Sequence, residues 1–168
     1  LIMTIIVFGG SGFIGSRFIN LWASRKDTKI INVDKLTYAA NQDYLHEVNN
    51  SDKYTFYHED ITNKKQINEI VDKHQPTIFI NFAAESHVDN SIKASEQFII
   101  TNVVGTHVLL EIYRQYSNSR AGTKFIQIST DEVFGDLKPY HQPFCEQSKY
   151  DPRNPYSASK ASSDHLVL

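Results

Sequence analysis

Cysteine is nearly missing from this chain: Cys145 stands alone among 168 residues, which excludes an internal disulfide. It sits in a polar, proline-flanked stretch with no obvious partner, so neither a catalytic thiol nor a metal site is expected there. Long apolar runs are also missing. Stretches such as Ile5-Ile6-Val7-Phe8 fall far short of the roughly 20 residues that span a bilayer, so no membrane partner is expected. Leu1-Ile2-Met3 lacks the basic region and long apolar stretch of a signal peptide, and a cytoplasmic home is the simplest expectation. Excess charge of one sign is absent too. A formal charge of -2 gives no electrostatic reason to expect nucleic acid. No internal repeat or low-complexity segment occurs.

What is present suits one globular domain with one core: 40% hydrophobic and 21% charged residues leave little room for disorder. Short β-rich runs alternate with helical patterns. Strands are expected at Thr4 to Phe8, Lys29 to Val33, Tyr54 to His58, Thr77 to Phe82 and Lys124 to Ser129. The helix after the first strand is expected to bury Ile14, Phe18, Leu21 and Trp22. Thr62 is expected to cap a helix through Ile67, Ile70 and Val71. A long helix would place Ile100, Val104, Val108 and Ile112 at steps of four, and a last helix starts near Tyr156. Between them, the stretch from Lys138 to Pro155 carries four prolines and reads as irregular loop. Strict alternation implies an α/β fold with a doubly wound parallel sheet, Rossmann-like, with ligands at the carboxyl ends of the strands.

Two features follow those strand ends. Gly9, Gly12 and Gly15 form G-x-x-G-x-x-G between the first strand and first helix. One glycine serves a tight turn, one the approach of a pyrophosphate and one close packing of helix on strand. The amides at the helix start, with the helix dipole, favour phosphate there. Asp34 ends the second strand, nineteen residues after Gly15. A carboxylate there can accept hydrogen bonds from an adenosine ribose and would repel a 2′-phosphate, which favours NAD over NADP. Lys35 and Arg17 weaken that preference slightly, and Asp60, after the third strand, is placed for adenine.

Tyr156-Ser157-Ala158-Ser159-Lys160 gives Y-x-x-x-K, and residues four apart share a helix face. A free tyrosine has a pKa of about 10, and lowering it by about 3 units takes roughly 4 kcal/mol. A nearby cation in a poorly solvated site can supply that, so Tyr156 is expected to become a base for a hydroxyl proton under the influence of Lys160.

Together these motifs resemble the extended short-chain dehydrogenase/reductase superfamily. Within it, Ile128-Ser129-Thr130-Asp131-Glu132-Val133-Phe134-Gly135 resembles the S-T-D-E-V-Y-G signature of nucleotide-sugar 4,6-dehydratases. Asp34 through Ala39, DKLTYA, and Phe82 through Asp89, FAAESHVD, agree. Pro155 through Val167, PYSASKASSDHLV, is similar to the branch that acts on dTDP-glucose. The resemblance implies a lyase that oxidises sugar C4, eliminates water across C5 and C6, and returns hydride to C6. It makes Glu132 the base for the C5 proton, Asp131 the acid for the leaving hydroxyl, and Thr130 a hydrogen-bond partner of the 4-hydroxyl, beside Tyr156 and Lys160. For Asp131 to serve as an acid its pKa must be raised by burial or by Glu132.

The same resemblance implies NAD contacts from Gly9, Gly12, Phe13, Ile14, Gly15, Asp34, Lys35, Leu36, Thr37, Asp60, Ile61, Ala83, Ala84, Thr101, Tyr156 and Lys160. Substrate contacts fall to Ser86 and Thr130; no metal is implied, and His87 is expected to be structural. It further implies a homodimer through the helices around Val104 and from Tyr156. The chain is expected to be an incomplete NAD-binding domain, with the later strands and the C-terminal sugar-nucleotide domain absent. Phe134 departs from the family's usual tyrosine and Ser11 from a common alanine. A dehydratase of UDP-glucose and a non-catalytic dinucleotide-binding fragment are alternative readings.

Overall fold

Strands buried on both faces need apolar side chains at every position, and the apolar runs of the sequence form such strands. The computed structural model describes residues 2–140 and 142–168. In chain order the elements are β1 (Met3–Phe8), α1 (Phe13–Ala23), β2 (Thr28–Asp34), β3 (Tyr54–His58), α2 (Lys64–His74), β4 (Ile78–Asn81), α3 (Val88–Lys93), α4 (Glu96–Phe98), α5 (Thr106–Ser117), β5 (Lys124–Gln127) and α6 (Pro155–Val167). The chain divides into two units: one running to Ala83 and from Val108 to Ile128, the other from Ala84 to His107 and from Ser129 onward.

The first unit is a five-stranded parallel sheet of order β3-β2-β1-β4-β5. Side chains alternate across it. Ile6, Phe8, Ile31, Val33 and Phe79 pack on one face with Ile67, Ile70 and Val71 of α2 and Leu109, Ile112 and Tyr116 of α5. Ile5, Val7, Ile30 and Ile80 pack on the other with Ile19 and Ala23 of α1 and with Leu45 and Val48. Helices cover both faces, which is the doubly wound Rossmann-like arrangement expected from the alternation. The strand order reverses between β1 and β4, and their carboxyl ends flank the crevice where such sheets take ligands.

The second unit holds α3, α4, a π-helical segment Ile99–Gly105 leading into α5, a 3₁₀ turn Asp131–Phe134 and α6. Among the described residues no helix is long and apolar enough to cross a membrane.

Three local expectations are corrected. The buried face of α1 is Gly15, Ser16, Ile19 and Ala23; Ile14 and Leu21 are 63% and 54% exposed. Small residues win that face because they let the helix close onto the β1 turn. The steps of four fail because Ile99–Gly105 is π-helical: the wider turn leaves Val104 exposed while Ile112 is buried. Asn63, not Thr62, caps α2, its side chain accepting from the Gln66 amide; the Thr62 hydroxyl donates instead to Asp60 Oδ1 at 2.9 Å.

Candidate active site

In the first unit, the turn after β1 is shaped by its glycines. Gly9 has φ +77°, and a Cβ there would stand 2.5 Å from the Ala83 nitrogen at the end of β4. A Cβ on Gly15 would collide with the Gly9 carbonyl, so α1 can sit this close only with glycine. Gly12 has open space, its nearest neighbour 3.5 Å from a built Cβ. The tight turn thus falls to Gly9 and the close packing of helix on strand to Gly15, while a Cβ on Gly12 would make only an ordinary contact. Helix α1 starts with no side-chain cap and no acidic residue in its first turn, so its amides and dipole are left to an external anion. Phe13 and Ile14 stand exposed beside them.

Asp34 is buried at the end of β2 and held by main-chain donors: the Ser11 amide to Oδ2 at 2.9 Å and the Leu36 amide to Oδ1 at 2.8 Å. Each oxygen keeps a lone pair able to accept a further hydrogen bond. Leu36 makes its bond from the left-handed region, φ 55°. Lys35 reaches the Asp60 carboxylate at 3.5 Å. Burial pulls the Asp60 carboxyl upward, but two hydrogen bonds from Thr62 and the Lys35 ammonium outweigh it and hold it below its ordinary value. Thr37 is half-buried; Ile61 is a core residue at 4% exposure and offers a ligand only its main chain. The departure at Ser11 has a local role: its hydroxyl accepts from the Asn32 amide at 3.3 Å, and the same amide nitrogen donates to the Tyr54 hydroxyl at 2.9 Å.

In the second unit, Thr130 caps the 3₁₀ turn, its hydroxyl accepting from the Glu132 amide at 3.3 Å. The same hydroxyl hydrogen-bonds the Tyr156 phenol. Glu132 is half-buried, and its Oε2 accepts from Asn154 Nδ2 at 3.2 Å; Asp131 is exposed. Asn154 also caps α6 through a reciprocal box with Ser157, and Pro155 pre-sets the first turn, so one residue fixes the start of the Tyr156 helix and orients Glu132. The Tyr156 phenol thus meets the Thr130 hydroxyl and the charges of Glu132 and Asp131.

The sign of the phenol's shift is the opposite of what was expected. Burial pushes Tyr156 up, the charges of Glu132, Asp131 and Asp164 push it further, and only the Thr130 hydrogen bond opposes them. Lys160 is 3% exposed; burial lowers its pKa and Asp164 pulls it back. The cation expected to activate the phenol thus has an anion of its own, one helical turn on.

Three residues with no part in the sequence reading organise this unit. Asn102, 1% exposed in the π-helical segment, clamps Glu85 through both its amide (2.8 Å) and carbonyl (2.9 Å), and donates to Ser159 Oγ at 2.8 Å. It thereby ties Ala84-Glu85-Ser86, with Ser86 exposed, to α6 beside buried Thr101. Asp164 accepts from the Ser129 hydroxyl and from Tyr150. An open depression of about 470 Å³ lies over the 3₁₀ turn, lined by Asp131, Phe134, Phe144, Cys145, Tyr150 and Asp164 among others. Phe134 stacks there against Phe144 and Tyr150 at 5.4 and 5.3 Å, so the ring that replaces the family's tyrosine packs as an apolar wall. Asn154-Pro155 ahead of a helix was a readable capping signal, and Asp164 continues the face of Tyr156 and Lys160. Nothing in the sequence marked Asn102.

The family model for GDP-mannose 4,6 dehydratase matches residues 6–168. The chain belongs to that family. A dTDP-glucose 4,6-dehydratase of Haemophilus influenzae is 48% identical over 98% of this chain and 50% of its own length. Two solved dTDP-glucose 4,6-dehydratases cover 98% of the chain: one from Streptomyces venezuelae with NAD and TYD bound, at TM-score 0.88, 35% identity and 50% of its own chain, and one from Bacillus anthracis in complex with NAD, at TM-score 0.85, 36% identity and 49% of its own chain. The chain spans about half the length of these family members.

Proposed function

We propose that the protein carrying this chain is a nucleotide-sugar 4,6-dehydratase that converts dTDP-glucose to dTDP-4-keto-6-deoxyglucose with NAD. The observation that carries this reading is the cluster in the second unit: the Tyr156 phenol bonded to Thr130 and under the charges of both Asp131 and Glu132. A simple dehydrogenase has no use for two added carboxyl groups at that point, whereas β-elimination of water from a 4-ketosugar needs one base and one acid. The NAD-bound relatives and the uncapped, glycine-lined start of α1 support the cofactor.

Gly9, Gly12, Gly15, Phe13 and Ile14 would hold the pyrophosphate end of the dinucleotide, and Asp34 its adenosine ribose. Lys35, Leu36, Thr37, Asp60 and Ile61 would border the adenine side. By the family resemblance, Ala83, Ala84, Thr101, Tyr156 and Lys160 would also contact the dinucleotide. NAD bound by these residues would supply the hydride acceptor for sugar C4 and the hydride donor for C6. Tyr156 takes the 4-hydroxyl proton as that hydride leaves, and Thr130 hydrogen-bonds the same oxygen. Glu132, oriented by Asn154, removes the C5 proton made acidic by the neighbouring ketone, and a proton exchanged with solvent returns to C5 as hydride reaches C6. Asp131 gives its proton to the C6 hydroxyl, which departs as water. Ser86 would bind the sugar. The protein would be a homodimer through the helices around Val104 and from Tyr156.

Incubation with dTDP-glucose in deuterated water, followed by mass spectrometry and NMR of the product, tests the whole sequence. The expected product is a 4-keto-6-deoxy sugar with solvent deuterium at C5. Turnover of UDP-glucose in preference would move the assignment to that nucleotide, and retention of NAD with no turnover of either sugar would leave a dinucleotide-binding module.

A further inference from the structure

A lysine that must carry charge to serve as proposed is here removed from water. Lys160 is 3% exposed, and such a cation is costly unless a counter-charge is buried with it. Asp164 lies four residues on, on the same face of α6, and is itself only 9% exposed. Its Oδ2 accepts a hydrogen bond from the Ser129 hydroxyl and another from the Tyr150 hydroxyl at 3.3 Å. Ser129 directly precedes Thr130, so this carboxylate also pins the approach to the 3₁₀ turn that carries Asp131 and Glu132.

We propose that Asp164 is a positioning residue of the active site: a buried carboxylate, fixed by Ser129 and Tyr150, that keeps Lys160 charged one turn from Tyr156. This rests on the reading of Tyr156 and Lys160 as the proton-transfer pair. The electrostatics agree with the geometry. Burial drives Lys160 toward its neutral form, and Asp164 is the charge that opposes it. The other titratable groups around the pair are Tyr156, which feels Asp131, Glu132 and Asp164, and Tyr150, which burial and Asp164 push up and whose ring stacks on His165 at 4.7 Å. A residue needed only to link Ser129 and Tyr150 to α6 could be asparagine; one that maintains a cation must be an acid.

The decisive comparison is Asp164→Asn against Asp164→Glu. With lysines labelled at 13Cε, and the Lys160 resonance assigned by its loss in Lys160→Arg, NMR titration follows the ammonium directly. Asp164→Asn is expected to lower the Lys160 titration by about 1 unit or more, and Asp164→Glu to restore most of it. An unchanged Lys160 titration in Asp164→Asn overturns the proposal. Should Asp164→Asn not fold, the unaltered protein still decides: the 13Cγ resonance of Asp164 must show a step at the pH where Lys160 titrates, and a flat response there rejects the coupling. In turnover, Asp164→Asn is expected to move the alkaline limb of kcat to lower pH with KM for the sugar nucleotide unchanged. An equal loss at every pH with the limb in place assigns Asp164 a structural role and overturns the proposal. Absence of turnover in the unaltered protein would instead sink the dehydratase reading, while the Lys160 titration would still test the pairing.

Discussion

Tyr156 is held by neighbours that mostly oppose its ionisation: burial first, then Glu132, Asp131 and Asp164, against one hydrogen bond from Thr130. A phenol so placed stays protonated well past neutral pH, so the protein's own groups do not prepare a base in advance. This suits an enzyme whose phenolate is useful only when an oxidised nicotinamide is present to take hydride. The ultraviolet difference between the protein and its Tyr156→Phe variant should therefore show phenolate only above the ordinary tyrosine value of about 10. Adding NAD should move that signal to lower pH; an NAD-insensitive signal would mean that the cofactor's charge does not reach the phenol. Tyr156→Phe should cut formation of the ketosugar by about two to four orders of magnitude. It should change NAD affinity by less than about tenfold, since it removes one hydroxyl and leaves the fold.

At the scale of elements, α6 couples stability to chemistry through its first turn. Asn154 closes the capping box with Ser157 and donates to Glu132, two tasks that substitution can separate. Asn154→Ala should lose about 1 kcal/mol of stability, a few degrees in thermal midpoint, together with activity. Asn154→Asp keeps the cap, loses the donor and sets a second carboxylate against Glu132, so it should retain the thermal midpoint and still lose turnover. Equal midpoints for the alanine and aspartate variants would show that the cap contributes nothing. The readable and unreadable parts of the sequence divide along similar lines. Strands β1, β2 and β4 are largely buried and had to be mostly apolar runs, so they could be found from the sequence pattern. Y-x-x-x-K and Thr130-Asp131-Glu132 were readable because their chemistry is local to one turn each. The face of α1 was misread in part: Phe18 and Trp22 pack against the core as hydrophobicity suggests, but Ile14 and Leu21 do not, because Gly15 and Ser16 share the buried face with Ile19 and Ala23 through their lack of bulk. The step-of-four stripe failed because it presumes an α-helix where the backbone is π-helical. Asn102 acts through partners 17 and 57 residues away and Ser129 through one 35 away, and no spacing rule reaches that far.

For the whole molecule, pH acts on stability through groups of the sheet unit. His74, at the end of α2, shares a 2.7 Å hydrogen bond with the Tyr57 hydroxyl; burial and then Lys29 and Lys73 depress its pKa. A depressed value means the fold prefers the neutral ring. The stabilisation is present above the unfolded histidine value of about 6.5 and is lost as pH falls through the folded one. Asp60, also depressed, acts further down: its contribution is present above the unfolded carboxylate range and lost at more acidic pH. Urea midpoints should therefore fall between pH 7 and 5, and His74→Gln should flatten that step while leaving the decline at lower pH, where Asp60 titrates. A step unchanged in His74→Gln would assign it to another group.

The proposed homodimer is a property of the whole molecule, and the second unit exposes apolar side chains that bear on it. Ile99 and Val104 are 47% and 44% exposed in the π-helical segment, and Leu166 is 44% exposed near the end of α6. These lie on the two helices proposed to pair subunits, and apolar side chains left in water on adjacent turns favour burial against a like surface. A π-helical turn is what puts Val104 outside rather than in the stripe with Ile112, so the backbone irregularity and the exposed face have one cause. Val104→Asp places a charge at the centre of any such contact without touching Tyr156, Lys160 or the 3₁₀ turn. Sedimentation velocity should show the unaltered protein as a dimer and Val104→Asp shifted toward monomer, with the circular dichroism spectrum unchanged. A variant that sediments with the parent at equal concentration would remove this face from the interface.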